Sequence, residues 1–413
     1  MAHTGINLEN VKYNNRSAIL RLLNEQGAMS RKDLAEKLGL TPATVTLICT
    51  ELIAAGILQE KGELQEGRRA GRRKILVGID YTCRYVLSIC IEATATVVSV
   101  SDLKGDDRTE RTIKTNPQAE PEEFLKAIAN ESKVLMWEMG IPREKILGVG
   151  VSVPGPVDRK RGISQSAYRV WERPVDVVGE LQKYLKYPMV VENNVKAFAE
   201  AELVYGVGRK RENLMFLKWG PGVGSAMIIQ NAVYESHKSK EGELGHVRVV
   251  KDGRRCRCGR YGCLETIASV HAIAERVAAG CTPETMPALY ELVAGDVSEI
   301  RARNIGWWGQ VQDAGMWQAM DEVIESVACT LCHSVTFLAP DAVVVYGDMF
   351  QLPHVWERFL QVCRQYDPAY NECYIRKSHL NDSIGHIGPL AVVVNELLLA
   401  AGGLPEPPKQ AED

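Results

Sequence analysis

Residues 246–263 read HVRVVKDGRRCRCGRYGC. They bring one imidazole and three thiols within 18 residues, at His246, Cys256, Cys258 and Cys263. This is the donor set of a tetrahedral Zn²⁺ site, and the glycines between the donors provide the turns needed to wrap them around one ion. Because four protein ligands leave no open position, the pattern predicts structural rather than catalytic zinc. The alternative is three incidental cysteines in a surface loop.

The composition around this stretch, which we call the zinc loop, is that of an ordinary globular protein. The chain has 413 residues, 46% hydrophobic and 24% charged, with 49 basic against 52 acidic residues and a net charge of −3. These values exclude collagen-like, disordered and coiled-coil classes and fit two or three domains. With no long apolar run, no secretory signal and eleven cysteines, we expect a cytoplasmic protein with reduced thiols and no membrane segment.

Charge is distributed unevenly along the chain. Residues 1–74 carry 12 basic and 8 acidic side chains, a net charge of +4, whereas the remainder is at −7. A basic head on an acidic body indicates a nucleic-acid-binding domain joined to a second function.

Residues 15–58 are expected to form three helices. Ser30 can cap the second, Gly39 can end it, and Thr41 followed by Pro42 can begin the third. This is the helix-turn-helix pattern, in which the later helix enters the major groove of DNA. A generic three-helix bundle is the alternative. The residues expected to face DNA are Pro42, Ala43, Thr44, Thr46 and Leu47.

A basic run follows the three helices. Residues 59–64 are expected to form a short wing, and residues 67–74 read GRRAGRRK. We expect this run to link the head, residues 1–66, to the body, with its arginines in the DNA minor groove, where the potential is most negative. A solvated linker is the alternative. The arginines concerned are Arg68, Arg69, Arg72 and Arg73.

From residue 75 onward, β-rich runs alternate with amphipathic helices, which predicts an α/β body in two lobes. The first lobe is expected over 75–195, completed by 385–402, and the second over 196–384 with the zinc loop inside it. Ligands of such folds bind at the carboxyl ends of the strands.

Several stretches resemble motifs of one family. Residues 241–246, EGELGH, with 256–265, CRCGRYGCLE, resemble the signature of the ROK family (repressors, open reading frames, kinases). Residues 153–158 and 192–200 are similar to two further ROK motifs, and the head resembles the winged helix-turn-helix of the family's repressors. The resemblance implies a two-lobed actin-like ATPase body, as in ROK sugar kinases, with a sugar between the lobes, and a homodimer or dimer of dimers.

The resemblance also implies sugar contacts, and alternatives stay open for some of them. Glu243 is alternatively a partner of the metal ligand His246, and Asn193 with Asn194 is alternatively a helix cap. The residues that map onto sugar-contacting positions are Gly155, Asn193, Asn194, Glu243, His246 and Glu265.

Phosphoryl transfer is not expected. Kinases of the family place two glycines and a Thr after the Asp of their first strand, and here Asp80 is followed by YTCR. Their general base is an Asp where this chain has Asn194, and an amide has no comparable basicity.

The sequence therefore predicts a sugar-responsive transcriptional repressor that binds operator DNA, responds to a monosaccharide or sugar derivative, and is not an enzyme. An ATP-dependent sugar kinase with a DNA-binding head and a repressor controlled by a protein partner are the alternatives.

Overall fold

The structure, a computed structural model, describes residues 8–63, 75–235, 242–301, 311, 313–380 and 384–403. Contacts divide the chain into two compact units, Met1–Tyr205 with Ser383–Asp413, and Gly206–Asp382.

The α-helices of the described residues are α1 Leu8–Gln26, α2 Arg31–Leu38, α3 Pro42–Ala54, α4 Pro121–Glu138, α5 Val177–Gln182, α6 Asn194–Val204, α7 Glu265–Ala268, α8 Val270–Gly280, α9 Pro287–Leu292, α10 Ala314–Leu338, α11 Pro353–Tyr366 and α12 Ile384–Val393. The strands are β1 Met29–Ser30, β2 Leu58–Glu63, β3 Ile75–Ile79, β4 Tyr85–Ile91, β5 Ala95–Asp102, β6 Thr109–Lys114, β7 Ile146–Val153, β8 Val157–Asp158, β9 Ile163–Ser164, β10 Val175–Asp176, β11 Met189–Asn193, β12 Leu214–Trp219, β13 Val223–Ile229, β14 Ala232–Val233, β15 Ala342–Tyr346 and β16 Ile375–Lys377.

Helices α2 and α3 begin at their predicted caps, whereas α1 begins at Leu8, before the expected start at residue 15. The Ser30 hydroxyl accepts a hydrogen bond from the Asp33 amide at 3.2 Å and caps α2, which ends at Gly39 with φ of 64°. The Thr41 hydroxyl accepts from the Thr44 amide at 3.2 Å and caps α3. Each cap satisfies an amide that has no partner inside its helix.

The wing contains one strand more than expected. β3 pairs antiparallel with β1 and β2, in the order β1-β3-β2, with Val77 opposite Met29 and Ile79 opposite Leu58. The first lobe was expected to start at residue 75. Val77 and Ile79 are instead buried in the head's sheet. A short apolar strand suits either sheet, and the sequence does not show which strands it will pair with. In the sequence, residues 67–74, which were expected to link head and body, therefore lie between β2 and β3, two paired strands of the wing.

The lobe of the first unit has a five-stranded sheet in the order β11-β7-β4-β5-β6. β4, β5 and β6 form an antiparallel meander, whereas β7 and β11 join parallel to β4. One face packs against α4 and α5. On the other, α12 approaches the β7 backbone closely, and a Cβ at Gly150 would lie 2.1 Å from the Pro389 carbonyl oxygen.

The first unit extends further than the expected boundary at residue 195. Helix α6 belongs to it, because residues 197–204 are buried against α12 and the sheet. The unit also includes the chain's return, in which α12 continues as a π-helix over Val394–Ala400.

The second unit has a five-stranded sheet in the order β14-β13-β12-β15-β16. Its core includes Trp219, which contacts Phe350 edge-on at 5.5 Å, and the long helix α10. In the part of the chain that the structure describes, no helix is long and apolar enough to cross a membrane.

Candidate functional site

The four predicted metal ligands converge in the second unit. Their donor atoms all lie within 4.8 Å of one another. Cys256 Sγ is 3.5 Å from His246 Nδ1, and Cys258 Sγ is 3.7 Å from Cys263 Sγ. Donors about 2.3 Å from a tetrahedral ion stand about 3.7 Å apart, so this set fits a metal ion of the size of Zn²⁺.

Glycine lets the zinc loop fold this tightly. Gly262 has φ of 70°, and a Cβ there would lie 1.9 Å from the Val250 carbonyl oxygen. Its own carbonyl accepts from the amides of Val249 and Val250 at 2.8 and 3.1 Å. The loop is therefore held by its backbone around Cys263.

The surroundings of the three thiols shift their pKa values in different directions. Burial raises the pKa of Cys256, and it raises the pKa of Cys263 to about 12. Burial also acts to raise the pKa of Cys258, but the Arg260 Nε donates to its Sγ at 3.4 Å and the net pKa is lowered. A metal ion bound at this site would favour the thiolate form of all three cysteines.

His246 stands between the thiols and an acidic group. Its Nδ1 faces Cys256, and its Nε2 lies 3.9 Å from Glu243 Oε2. Arg260 Nη2 lies 3.8 Å from the same carboxylate oxygen. Glu243 therefore lies near His246 at 3.9 Å, beyond hydrogen-bond distance, a position that suits both interpretations of this carboxylate. A cavity of about 600 Å³, lined by His246, Arg260 and Tyr261 among others, opens beside them.

Glu265 is held by the backbone near Glu243. Its Oε2 accepts from the Val223 amide at 3.1 Å. A Cβ at Gly245 would lie 2.1 Å from the Val223 carbonyl oxygen and 3.2 Å from the Glu265 carboxylate. Glu243, His246 and Glu265 therefore share one region of the second unit.

Asn193 and Gly155 meet in the first unit. The side-chain Nδ2 of Asn193 donates to the Gly155 carbonyl at 2.8 Å, while its Oδ1 accepts from the backbone amides of Val195 and Lys196. Asn193 is thus the N-cap of α6, as the alternative interpretation had it. Gly155 has φ of 111°, and a Cβ would lie 2.5 Å from the Ser166 carbonyl oxygen.

Asn194 contacts a residue that the sequence analysis missed. Its Nδ2 donates to Glu92 Oε1 at 2.8 Å. Glu92 follows β4, the first strand of the lobe's sheet along the chain, in a turn that reads Glu-Ala-Thr over 92–94. Asp80 follows β3 of the head's sheet instead, so its assignment to the first strand of the lobe was wrong. The turn that does follow that strand also lacks glycine.

Arg159 and three glutamates form a largely buried cluster of charges next to Asn193. No pattern in the sequence indicated this cluster. Arg159 Nη1 donates to Glu192 Oε2 at 2.9 Å and to Glu200, while Nη2 donates to Glu396 at 2.7 Å. Burial raises the pKa of Glu192 to about 7, although the Arg159 charge acts to lower it.

The predicted DNA face is accessible on α3. Pro42, Ala43, Thr46 and Leu47 are exposed and Thr44 is half-buried, while Val45, Ile48 and Leu52 face the core. The Thr46 hydroxyl donates to the Pro42 carbonyl at 2.7 Å. The predicted minor-groove residues Arg68, Arg69, Arg72 and Arg73 lie outside the described residues.

Two family profiles match the chain. Residues 86–396 match the ROK family, and residues 14–59 match a winged helix-turn-helix DNA-binding family.

Characterised relatives are regulators by description. The chain is 27% identical over 271 residues to the DNA-binding transcriptional dual regulator NagC of Escherichia coli K12. That match spans 66% of each chain, just under two thirds of NagC. A putative xylose repressor of Caldicellulosiruptor sp. is 25% identical over 400 residues, with 94% of this chain and 97% of the relative covered.

Solved structures share the fold. A ROK family transcriptional regulator described as a homolog of E. coli MLC gives a TM-score of 0.77 at 21% identity, with 95% and 97% coverage of the two chains. A ROK family glucokinase from Streptomyces griseus, in complex with glucose and AMPPNP, gives 0.60 at 24% identity, with 75% and 98% coverage.

Proposed function

Because the chain belongs to the ROK family, we propose that it is a sugar-responsive transcriptional repressor that binds operator DNA. The observation that carries this proposal is that the winged helix-turn-helix and the Asn193–Asn194 position of the lobe belong to the same compact unit. A ligand at the lobe thereby has a direct structural connection to the DNA-binding head.

The DNA interface we propose is α3 with the segment between β2 and β3. Ala43 and Thr46 are exposed and small enough for close approach to base edges, and Leu47 is exposed beside them. Four arginines stand between the two wing strands in sequence. Arginine between wing strands suits phosphate contact or minor-groove insertion.

The effector we propose is a monosaccharide or sugar derivative. Gly155, Asn193 and Asn194 supply one set of polar groups in the first unit, and Glu243, His246 and Glu265 supply a second set in the other. Paired amides and carboxylates suit adjacent hydroxyls because they donate and accept together. The description of one relative as a putative xylose repressor supports this class of ligand.

We propose that the protein does not transfer phosphate. Asn194 is an amide whose Nδ2 is hydrogen-bonded to Glu92, and it cannot act as a general base. Glu92 places a carboxylate in the turn after the lobe's first strand, where it repels an anionic phosphate. A sugar kinase with a DNA-binding head is the second candidate, supported by the fold shared with ROK kinases.

We propose Zn²⁺ as the metal of the cluster, held by His246, Cys256, Cys258 and Cys263. Zinc when bound would cross-link the loop and hold its thiols deprotonated. His246 would then present its Nε2 edge toward Glu243.

We also propose a homodimer or a dimer of dimers, since paired heads bind two half-sites of an operator. A repressor controlled by a protein partner remains the alternative to sugar control.

Operator selection tests the function as a whole. The full chain is used to select binding sites from random DNA, and a sugar panel is added to the resulting complexes. We expect one selected sequence and release by at least one sugar, without sugar-dependent ATP hydrolysis. Failure to select any DNA would contradict the repressor; turnover with ATP would favour the kinase; and an operator complex insensitive to all sugars would favour a protein partner.

A further inference from the structure

Helix α6 spans the distance between the lobe's polar site and the head. It begins at the Asn193 cap and runs for 11 residues to Val204, a length of about 16 Å. At its far end the Val204 carbonyl accepts a hydrogen bond from Asn24 Nδ2 at 3.0 Å. Asn24 lies on α1, the first helix of the head. The two ends of one rigid helix thus contact the proposed sugar site and the DNA-binding domain.

Asn24 is held from both sides. It is only 5% exposed, and its Oδ1 accepts from the Tyr81 hydroxyl at 3.0 Å. The carbonyls of the last helical turn have no donor within their own helix, so Asn24 supplies a bond that α6 otherwise lacks. A shift of α6 along its axis therefore has to move α1 or break this bond.

A second connection runs parallel to the first. The Glu192 carboxylate accepts from the backbone N–H of Asn193 at 2.6 Å and from Arg159 Nη1 at 2.9 Å. Arg159 also binds Glu200 on α6, whose other oxygen accepts from Asn395 Nδ2 at 3.4 Å. Asn395 Oδ1 in turn accepts from Arg21 Nη1, on α1, at 3.1 Å.

The segment that carries Asn395 continues into the head's core. Asn395 belongs to the π-helix Val394–Ala400, an irregularity common at functional positions. Beyond it, a Cβ at Gly403 would lie 3.0 to 3.3 Å from Leu20, Leu52 and Ile57. Leu52 is on the buried face of α3, so this segment contacts the helix that we propose to read DNA.

We propose that Asn24 and Arg21 are positioning residues that couple occupancy of the Asn193–Asn194 site to the placement of α1 and α3. This inference rests on the proposed sugar response. A sugar bonded to Asn193 or Asn194 changes the hydrogen bonds at the start of α6. Because close-packed interiors transmit small displacements rather than absorb them, the change reaches Val204 and Asn395 and shifts the head.

The test measures coupling rather than stability. Asn24→Asp removes the donor to Val204, since a carboxylate cannot donate, and Arg21→Met removes the donor to Asn395 while keeping an unbranched stem. The matched control is Lys12→Ala, also on α1, which loses only the exposed ion pair with Glu51. The full chain is titrated with operator in the presence and absence of D-xylose, N-acetyl-D-glucosamine and D-glucose, and sugar affinity is measured with and without operator.

In the unmodified protein and in Lys12→Ala, the active sugar is expected to weaken operator binding by roughly 5- to 150-fold, and operator to weaken sugar binding by the same factor. Asn24→Asp and Arg21→Met are expected to bind each ligand alone, with the mutual effect reduced to about twofold or less. Variants that retain the full mutual effect would overturn this inference and leave the repressor function intact. An unmodified protein that binds operator but responds to no sugar would overturn both proposals.

A variant that fails to fold does not end the test. Tyr81→Phe removes the hydroxyl that donates to Asn24 Oδ1, and Arg21→Lys retains a cationic donor. We expect reduced coupling in Tyr81→Phe and near-normal coupling in Arg21→Lys; unchanged coupling in Tyr81→Phe together with unchanged coupling in Arg21→Met would contradict the inference.

Discussion

Cys258 differs from its neighbours because its sulfur accepts a hydrogen bond from Arg260. We expect the unmodified protein to carry roughly one Zn²⁺ per chain, and because Cys258→Ser removes a soft thiolate ligand, we expect the purified variant to lose it. Elemental analysis measures this, with Cys373→Ser, an exposed cysteine outside the cluster, as control. Because the zinc loop and the head belong to different units, the variant should lose its sugar response before its operator binding. An unmodified, untreated protein free of zinc would contradict the site.

Glu192 gives the stability of the protein a pH dependence. Burial raises its pKa to about 7, so the folded state holds this proton more tightly than the unfolded state, in which the pKa is near 4.5. Its contribution is therefore most favourable below pH 4.5 and is lost as the pH rises through 7, by up to ~3 kcal/mol. Arg159, Glu200, Glu396 and Lys196 set the field around it.

The measurement is the free energy of unfolding of the unmodified protein and of Glu192→Gln between pH 5 and 8. Glutamine cannot titrate, so the difference between the two proteins should change across this range, with the unmodified protein losing stability relative to the variant as the pH rises. Parallel curves would show that Glu192 keeps one protonation state throughout.

The wing shows how an element can be mistaken when each piece is interpreted locally. The caps at Ser30 and Thr41 and the zinc spacing were predictable, because their signals lie within a few residues. The pairing of Ile75–Ile79 with Met29–Ser30 was not, because apolar alternation does not say which strand lies beside which. The same limit applies to Glu92 and Asn194, which lie 102 residues apart, and to Arg159 and Glu396, which lie 237 apart.

The wing also carries a prediction about salt. Replacing Arg68, Arg69, Arg72 and Arg73 with Ala should weaken operator binding and flatten its dependence on salt, by a slope of about 0.9 for each phosphate that is no longer neutralised. Operator affinity measured across a series of salt concentrations tests this, with Arg173→Ala, an exposed arginine of the lobe, as control. If the salt dependence of operator affinity has the same slope in all three proteins, the basic segment does not contact DNA.

At the scale of the whole molecule, each unit holds some of the side chains that we propose to contact sugar. Glu243→Ala and Glu265→Ala should keep operator binding, since neither lies in the head, but should not release operator when the active sugar is added. Glu322→Ala is the control, because Glu322 is an exposed glutamate of the same unit outside the proposed sugar site. Sugar titrations of preformed operator complexes measure the effect, expected at roughly 5- to 150-fold in the unmodified protein. Normal release by both Glu243→Ala and Glu265→Ala would place the effector elsewhere.

The contact of Gly403 with Leu20, Leu52 and Ile57 has a consequence for biosynthesis. The head helices leave the ribosome early, yet the glycine that fits among their side chains is translated about 350 residues after Leu52. At ordinary elongation rates this interval is roughly 20 to 70 seconds. During this interval the apolar side chains around Leu20, Leu52 and Ile57 lack this neighbour. Chains terminated before residue 403 should therefore carry an incompletely packed head.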